Sequence, residues 1–429
     1  MYSKLVRSCS DVLKNNDVAE FVVNNYIPDC VDDFSDLPVF IQEKFMIEQV
    51  EKTSDRFFTV NRRLFGKLHS VQQKTRLSKP ACINRYEYYS RYDWFKNGKM
   101  HRAERDPDTK LTLPARVFGD FDENGNEIID PTKGIWFQNN NIHRDDVDAN
   151  GYTLPAEKTN FCEIWMLHGK LHRTDRDPIT GLVLPASIEF LDEDHKTCRM
   201  TWNLNDKMHR DDVGSDGLVL PAFDSPKKQE WRMHGKLHRT DVDKTTGLVL
   251  PARIINCGDN EYEYEWYTNG KLSRTDKDSR GFTLPALKHL NLEIWAVDGQ
   301  YHRTDVDSVT GLTLPAYVDK DDQHFEWWQY GKLHRTDLEN GLHLPALTNK
   351  SKSIWAKNGV RHRDDIDKNG KTLPAYIDND THREEWWKNG QLHNDNVDGF
   401  GDLLPAIIEP FANHPPWTEY YIDGIIQQY

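Results

Sequence analysis

One phrase recurs about ten times along the chain: Trp, three residues, Gly-Lys-Leu-His-Arg-Thr-Asp, an Asp/Gly turn, then Leu-Pro-Ala. Its clearest copy runs from Trp165 through Gly169, Leu171, His172, Arg173, Asp175, Asp177 and Gly181 to Leu184, Pro185 and Ala186. Self-similarity at a period near thirty residues makes the chain an array, so its fold follows from the unit and the way units stack. A motif written many times is a building rule, whereas an active site normally occurs once.

Local signals within the unit are β. Asn97-Gly98, Asn269-Gly270, Asn358-Gly359 and Asn389-Gly390 are hairpin turns in which both residues can take positive φ. Asn140 and Asp206 replace Gly in two copies, and both residue types tolerate the left-handed region. The strand before the turn carries Trp and the strand after it carries Leu-His-Arg. A second reversal lies in the Asp/Gly segment, and Leu-Pro-Ala opens a third strand at a position where Pro need not donate to a ladder. Three short strands cannot bury a face alone, so neighbouring units must stack.

The spine Trp residues stand at Trp94, Trp136, Trp165, Trp202, Trp231, Trp266, Trp295, Trp327, Trp355 and Trp386. A degenerate copy precedes them, with Arg62 in the Trp place, and a half-copy with Tyr420 and Gly424 follows them. Atypical terminal copies are expected of an array. Residues 1–57 lack the phrase. Leu5, Val6, Cys9, Val12 and Leu13 recur at helical spacing, as do Val18, Phe21, Val22 and Tyr26 up to Pro28. Asp36-Leu37-Pro38 reads as a capped helix start leading into Ile41, Phe45, Met46 and Val50. The expected organisation is therefore a helical cap or docking element over 1–57 and a β-hairpin array over 58–429.

Links between units alternate in length. Ala156–Trp165, Ala222–Trp231, Ala286–Trp295 and Ala346–Trp355 are short, while Ala115–Trp136, Ala186–Trp202, Ala252–Trp266, Ala316–Trp327 and Ala375–Trp386 are longer and irregular. In a meander successive reversals fall on opposite sides, which predicts a two-repeat module with one constant and one variable side. Specific contacts are expected on the variable side, especially in Phe118–Lys133 and Ser187–Thr201.

The recurring residues allow chemical and structural readings. A Trp column can be a stack of ligand platforms or a buried spine packed on the Leu of Leu-Pro-Ala; we read a spine. Trp328 and Trp387 directly follow spine residues, so they face the other way and are candidate interaction residues. The His-Arg-x-Asp run invites a metal or acid–base reading, but one copy has Ser273 for His and none adds a nucleophile. We read Arg–Asp pairs between adjacent units and His bonded to a turn backbone. Asp146, Asp148 and Asn150 match the opening of a calcium loop, with Glu157 at the twelfth position, and form the candidate metal site. Other copies, such as Asp241 to Gly247, are one residue longer, and short Asp side chains also stabilise turns without an ion. No other cofactor is expected, and no phosphate loop, nucleophile elbow or zinc-spaced cluster occurs.

A net charge of −14 argues against binding nucleic acid by phosphate neutralisation. The six cysteines are scattered and no apolar stretch reaches the length of a signal core or membrane span. These features fit a soluble protein of a reducing compartment, or a particle component.

Trp-x-x-Asn-Gly-Lys-Leu-His-Arg-x-Asp followed by Pro-Ala resembles the MORN-like hairpin repeats of large DNA viruses of amoebae and some large phages. The resemblance covers roughly residues 58–426, and this chain departs from it by inserting an Asp/Gly/Leu segment before Pro-Ala. It implies a viral origin and a non-enzymatic β-repeat surface. The expected fold is an all-β repeat array of stacked hairpins, elongated and twisted, with a small α-helical N-terminal cap. The expected function is a scaffold or minor structural component of a virus particle, or a virus–host interaction protein in the virion or host cytoplasm, with viral capsid or host proteins as partners. Two alternatives are a calcium-stabilised binding module and a ubiquitin-ligase substrate adaptor. The second would use an F-box-like N-terminus, of which Leu37-Pro38-x-x-Ile41 is an echo.

Overall fold

The structure is a computed structural model that describes residues 46–52, 58–64, 67–70, 77–122, 126–411 and 414–427. The helical segments expected before residue 46, the F-box echo, Cys9 and Cys30 lie outside the described residues. Within them every regular element is a β-strand, and all pairings are antiparallel. No helix among them is long and apolar enough to cross a membrane. The chain divides into two compact units, Met1–Lys207 and Met208–Tyr429.

One expectation is overturned at the start of the array. Met46 and Val50, assigned to a helix by their spacing, lie in strand Met46–Lys52, which pairs residue for residue with Phe58–Leu64. Glu48 also reaches Arg62 across that pair at 2.8 Å. Local periodicity carries no information about a partner strand, and here the partner decided the conformation. The sheet therefore already includes Met46–Lys52, ahead of residue 58.

Each repeat follows one plan. After Leu-Pro-Ala the chain enters the main sheet, reverses, returns to the spine Trp and leaves the sheet. It then makes a small hairpin at the Gly turn and a second, Asp-capped reversal before the next Leu-Pro-Ala. In the first unit Glu157–Lys158 pairs with Cys162–Ile164, which pairs with Ser187–Phe190, which pairs with Cys198–Thr201. In the second unit Arg253–Gly258, Glu261–Glu265, Leu287–His289, Leu292–Ile294 and Tyr317–Asp319 follow one another in the same way.

This plan corrects the expectation of opposite sides. Within each unit every strand that leaves Leu-Pro-Ala runs in the same direction, because each repeat adds two strands to the sheet. Short and long links consequently reverse at the same edge, and the spine Trp residues lie at the other. Extra link length extends the hairpins, as in Arg253–Gly258 with Glu261–Glu265 compared with the two- and three-residue strands at Glu157–Lys158 and Cys162–Ile164.

The Gly turns have the expected mirror-image geometry, with φ of 52° at Asn97 and 79° at Gly98. Where Gly is replaced, Asn140 and Asp206 still take φ of 71° and 67°. Their side chains accept hydrogen bonds from the backbone N–H of Met100 (2.6 Å) and Leu171 (2.8 Å) in the preceding copy, which offsets the conformational cost.

Candidate functional site: the joint between repeats

The joint is best seen where the copy containing Trp165 meets the one before it. Trp165 is 5 % exposed, and its indole N–H donates to the carbonyl of Thr153, two residues before the preceding Pro155, at 2.8 Å. All ten spine indoles make the equivalent bond at 2.7–3.0 Å. Nine of them are buried and Trp386 is half-buried. The spine is therefore a structural column, with each indole polar atom satisfied.

Over the ring lies Arg173 from the same copy, its Cζ 3.8 Å from the ring centroid. Its Nε donates to Asp175 at 2.9 Å and its Nη1 to the Pro185 carbonyl at 3.1 Å. The Asp175 carboxylate also accepts from Thr153 N–H (3.1 Å) and Thr153 Oγ1 (2.5 Å) of the preceding copy. The Arg and Asp of the His-Arg-x-Asp run thus pair within a copy, while an Arg–Asp pair between adjacent copies, as expected, occurs at Arg105–Asp146 (3.1 Å). With only one residue between Arg173 and Asp175 on an extended strand they share a face, and it is the carboxylate that bridges to the neighbour. Guanidinium over indole adds a cation–π term inside a shielded site. The same stack recurs at Arg239–Trp231, Arg303–Trp295 and Arg363–Trp355, each at 3.8 Å.

Histidine closes the joint from the other side. Nδ1 of His143 accepts the N–H of His168, the positive-φ residue of the next Gly turn, at 3.2 Å. His238, His334 and His362 do the same for Asn269 (3.2 Å), Asn358 (3.0 Å) and Asn389 (3.1 Å). Ser273 fills the position with Oγ accepting from Asp298 N–H at 3.2 Å, which explains why His is dispensable there. His143 stacks on His168 and His209 on His234, with ring centroids 4.4 Å apart in both pairs. Burial, then the neighbouring imidazole, hold His143 and His209 below their ordinary pKa. Burial does the same for His302, and burial followed by Lys357 for His334.

One joint is written differently. In the copy of Trp386, Asn394 and Asn396 stand where Arg and Asp stand elsewhere. Asn394 Nδ2 donates to the Pro405 carbonyl at 2.6 Å, its Oδ1 accepts from Asn396 N–H at 3.1 Å, and Asn396 Oδ1 accepts from Thr372 N–H at 2.8 Å. Both charges are replaced together, and the bonds to Pro and to the preceding copy survive.

The candidate calcium residues serve the joint and the turn. Asp146 is buried and its carboxylate takes Arg144 (3.0 Å), Arg105 (3.1 Å), and the N–H and hydroxyl of Thr112. Burial alone would raise its pKa, but these donors outweigh burial and hold it below the ordinary value. Asp148 Oδ1 instead accepts from the N–H of Asn150 (2.8 Å) and Tyr152 (2.9 Å). The structure does not bring Asp146, Asp148 and Asn150 together as a ligand set, because the two carboxylates already serve separate protein donors. Among the described residues no group of three or more His, Cys, Asp or Glu is arranged to hold a metal ion. The longer turns show the same capping, as where Asp177 Oδ1 accepts from Ile179 N–H, Thr180 N–H and Thr180 Oγ1 at 2.7–3.1 Å.

Trp328 and Trp387 occupy equivalent places and are half-buried. Trp328 Nε1 donates to Glu326 at 2.6 Å and its ring meets Tyr301 edge-on at 5.8 Å. Trp387 Nε1 donates to Glu385 at 2.8 Å, with Arg361 Cζ 5.1 Å from its ring centroid. Both rings are thus engaged within the chain, and Trp328 packs against the buried cluster of Trp295, Ala316 and Val318 rather than facing away from the spine.

Two structural residues escaped the sequence reading. The Ala of Leu-Pro-Ala is 0 % exposed at Ala186, Ala252, Ala316 and Ala406, and each donates its N–H and accepts the spine Trp N–H. The acid directly before the spine Trp is the other. Glu230, 2 % exposed, holds Lys228, Arg232 and Arg253 at 2.7–3.1 Å. Its signal was visible in the recurrence of Asp93, Glu230, Glu265, Glu326 and Glu385 at one repeat position. Cys82, Cys162, Cys198 and Cys257 are free thiols. No protein-family model matches this chain, and no curated protein matches it.

Proposed function

We propose that the chain is a non-enzymatic scaffold of MORN-like repeats that binds other proteins, with viral capsid or host proteins as its partners in the virion or the host cytoplasm. The observation that supports this reading is the use of the recurring side chains. Trp, Arg, Asp and His of each copy bond to one another or to the neighbouring copy, so the repeated letters serve the joints. What differs between copies is the edge of link hairpins, which change in length and sequence without disturbing a joint. Repeat surfaces of this construction work as binding platforms, and the partner is set by the variable positions.

The test is affinity capture with the tagged full chain in the native source, followed by cross-linking. Cross-links are expected to concentrate on residues 118–133 and 187–201, and exchanging those hairpins for the short link 156–165 is expected to abolish capture. Capture that is indifferent to the exchange overturns the reading.

A further inference from the structure

Within the unit Met208–Tyr429 a groove of about 860 Å³ is built in three tiers, one per repeat, by Leu250-Pro251, Leu284-Pro285 and Leu314-Pro315. The main sheet adds Tyr264, Lys288 and Glu293, which are consecutive cross-strand partners and share one face. The spine adds Trp266 and Trp295, and the Asp-capped turns add Asp243, Asp278 and Asp307. Arg274 and Arg303 also line it, each lying over its spine ring at 3.8 Å and paired with Asp276 or Asp305. The groove is thus lined with aromatic rings and prolines, and carries carboxylates at the repeat spacing.

The spacing selects a ligand conformation. Successive tiers are two strands apart in the sheet, which is about 9.6 Å at roughly 4.8 Å per strand. A polyproline II helix advances about 9.3 Å per three-residue turn, so it presents one equivalent side chain to each tier. An α-helix at about 5.4 Å per turn and a β-strand at about 6.6 Å per two residues both fall out of step by the second tier. Aromatic and proline-lined grooves are the usual receptors for this conformation, because its backbone is already ordered before binding.

Charge selects the sequence. Asp243 Oδ1 accepts Thr245 N–H, Thr246 N–H and Thr246 Oγ1, and Asp307 Oδ1 accepts the matching bonds from Val309 and Thr310, all at 2.7–3.1 Å. These bonds hold both carboxyls below their ordinary pKa, so both are ionised. Neither Oδ2 has a protein donor among the described residues. In the middle tier Asp278 already carries Arg280 at 3.1 Å, and the exposed Lys288 of the same repeat also lines the groove. The outer tiers therefore attract cations and the middle one repels them.

We propose that this groove binds a polyproline II segment of a protein partner, with two basic residues six positions apart and neutral residues between them. The proposal rests on the scaffold reading and adds the partner's chemistry. The probe is a labelled peptide, Arg-Pro-Pro-Leu-Pro-Pro-Arg, titrated into the full chain by fluorescence anisotropy at low salt. Saturable binding is expected. It should weaken roughly ten-fold, the factor that two rim ion pairs supply, in the double variant Asp243→Asn, Asp307→Asn. Asn Oδ1 keeps the turn bonds, so an unchanged melting curve shows the double variant is folded. Moving the second Arg by one position, or replacing the prolines with Gly, should weaken binding as well. No saturation up to millimolar peptide, or equal affinity for the double variant, overturns the groove. Partner capture that persists through the link hairpins in that case leaves the scaffold reading standing, so the two failures are distinguishable.

Discussion

The Cζ of Arg239 lies 3.8 Å from the centroid of the Trp231 ring in the same copy. The contact makes the guanidinium part of the spine, and it is the lid under which Asp241 bonds Arg239 Nε at 3.0 Å and Val219 N–H at 3.0 Å. Removing Arg239 alone strands a partly buried carboxylate. Arg239→Asn is expected to cost about 3 kcal/mol. The double variant Arg239→Asn, Asp241→Asn copies the joint at Asn394 and Asn396, and is expected to lose about 1 kcal/mol. Trp231→Ala should cost about 3–5 kcal/mol. Urea unfolding followed by intrinsic fluorescence ranks the three, and a double variant less stable than the single one refutes the account of the joint.

Acid should loosen the joints through histidine. Nδ1 of His143, His209, His302 and His334 must stay unprotonated to accept the turn N–H. Their folded pKa values lie below the ordinary 6.5, so the unfolded chain takes up protons first as pH falls. The stability they contribute is intact above that value and is lost as pH drops through the lowered folded values. Melting temperature should therefore fall between about pH 7 and about pH 5. His302→Ser, which copies the natural arrangement at Ser273, should reduce that fall.

Ala252 packs its methyl group out of solvent at the edge of the spine. The residue is 0 % exposed, with its N–H on Glu265 O at 2.9 Å and its carbonyl accepting Trp231 N–H at 2.8 Å. Ala252→Leu should destabilise by about 1–3 kcal/mol through overpacking. Thermal melting checks it, with Ala252→Gly as the contrasting substitution that adds no volume.

Calcium should not stabilise the chain. Asp146 faces two arginines and Thr112, and Asp148 caps its own turn. Adding millimolar calcium, or a chelator, is expected to leave the melting temperature unchanged. A rise with calcium that Asp148→Asn abolishes would restore the metal reading.

Turns and spine were legible because their causes are local. Asn97-Gly98 demands positive φ at both residues whatever surrounds it, and one Trp per copy follows the period of the unit. The bond from His to the next turn was legible too, because alternation along the strand separates His172 from Arg173. Strand Met46–Lys52 was not legible, since its conformation comes from Phe58–Leu64. The pairing of Arg173 with Asp175 within one copy was missed because sequence alone does not show that Thr153 of the preceding copy lies beside that carboxylate. Placing all links at one edge required knowing how many strands each copy adds to the sheet.

The joint also has a direction. At the boundary between the copies of Trp266 and Trp295, the later copy supplies the indole N–H, the N–H of Asp298 and the Asp305 carboxylate. The earlier copy supplies both backbone groups of Thr283 and the Ser273 hydroxyl. The two sides are unlike, so neither can mate with a second copy of itself. Opening such a boundary in two molecules would allow them to recombine only head to tail, which is the geometry of chains and rings and not of two-fold dimers.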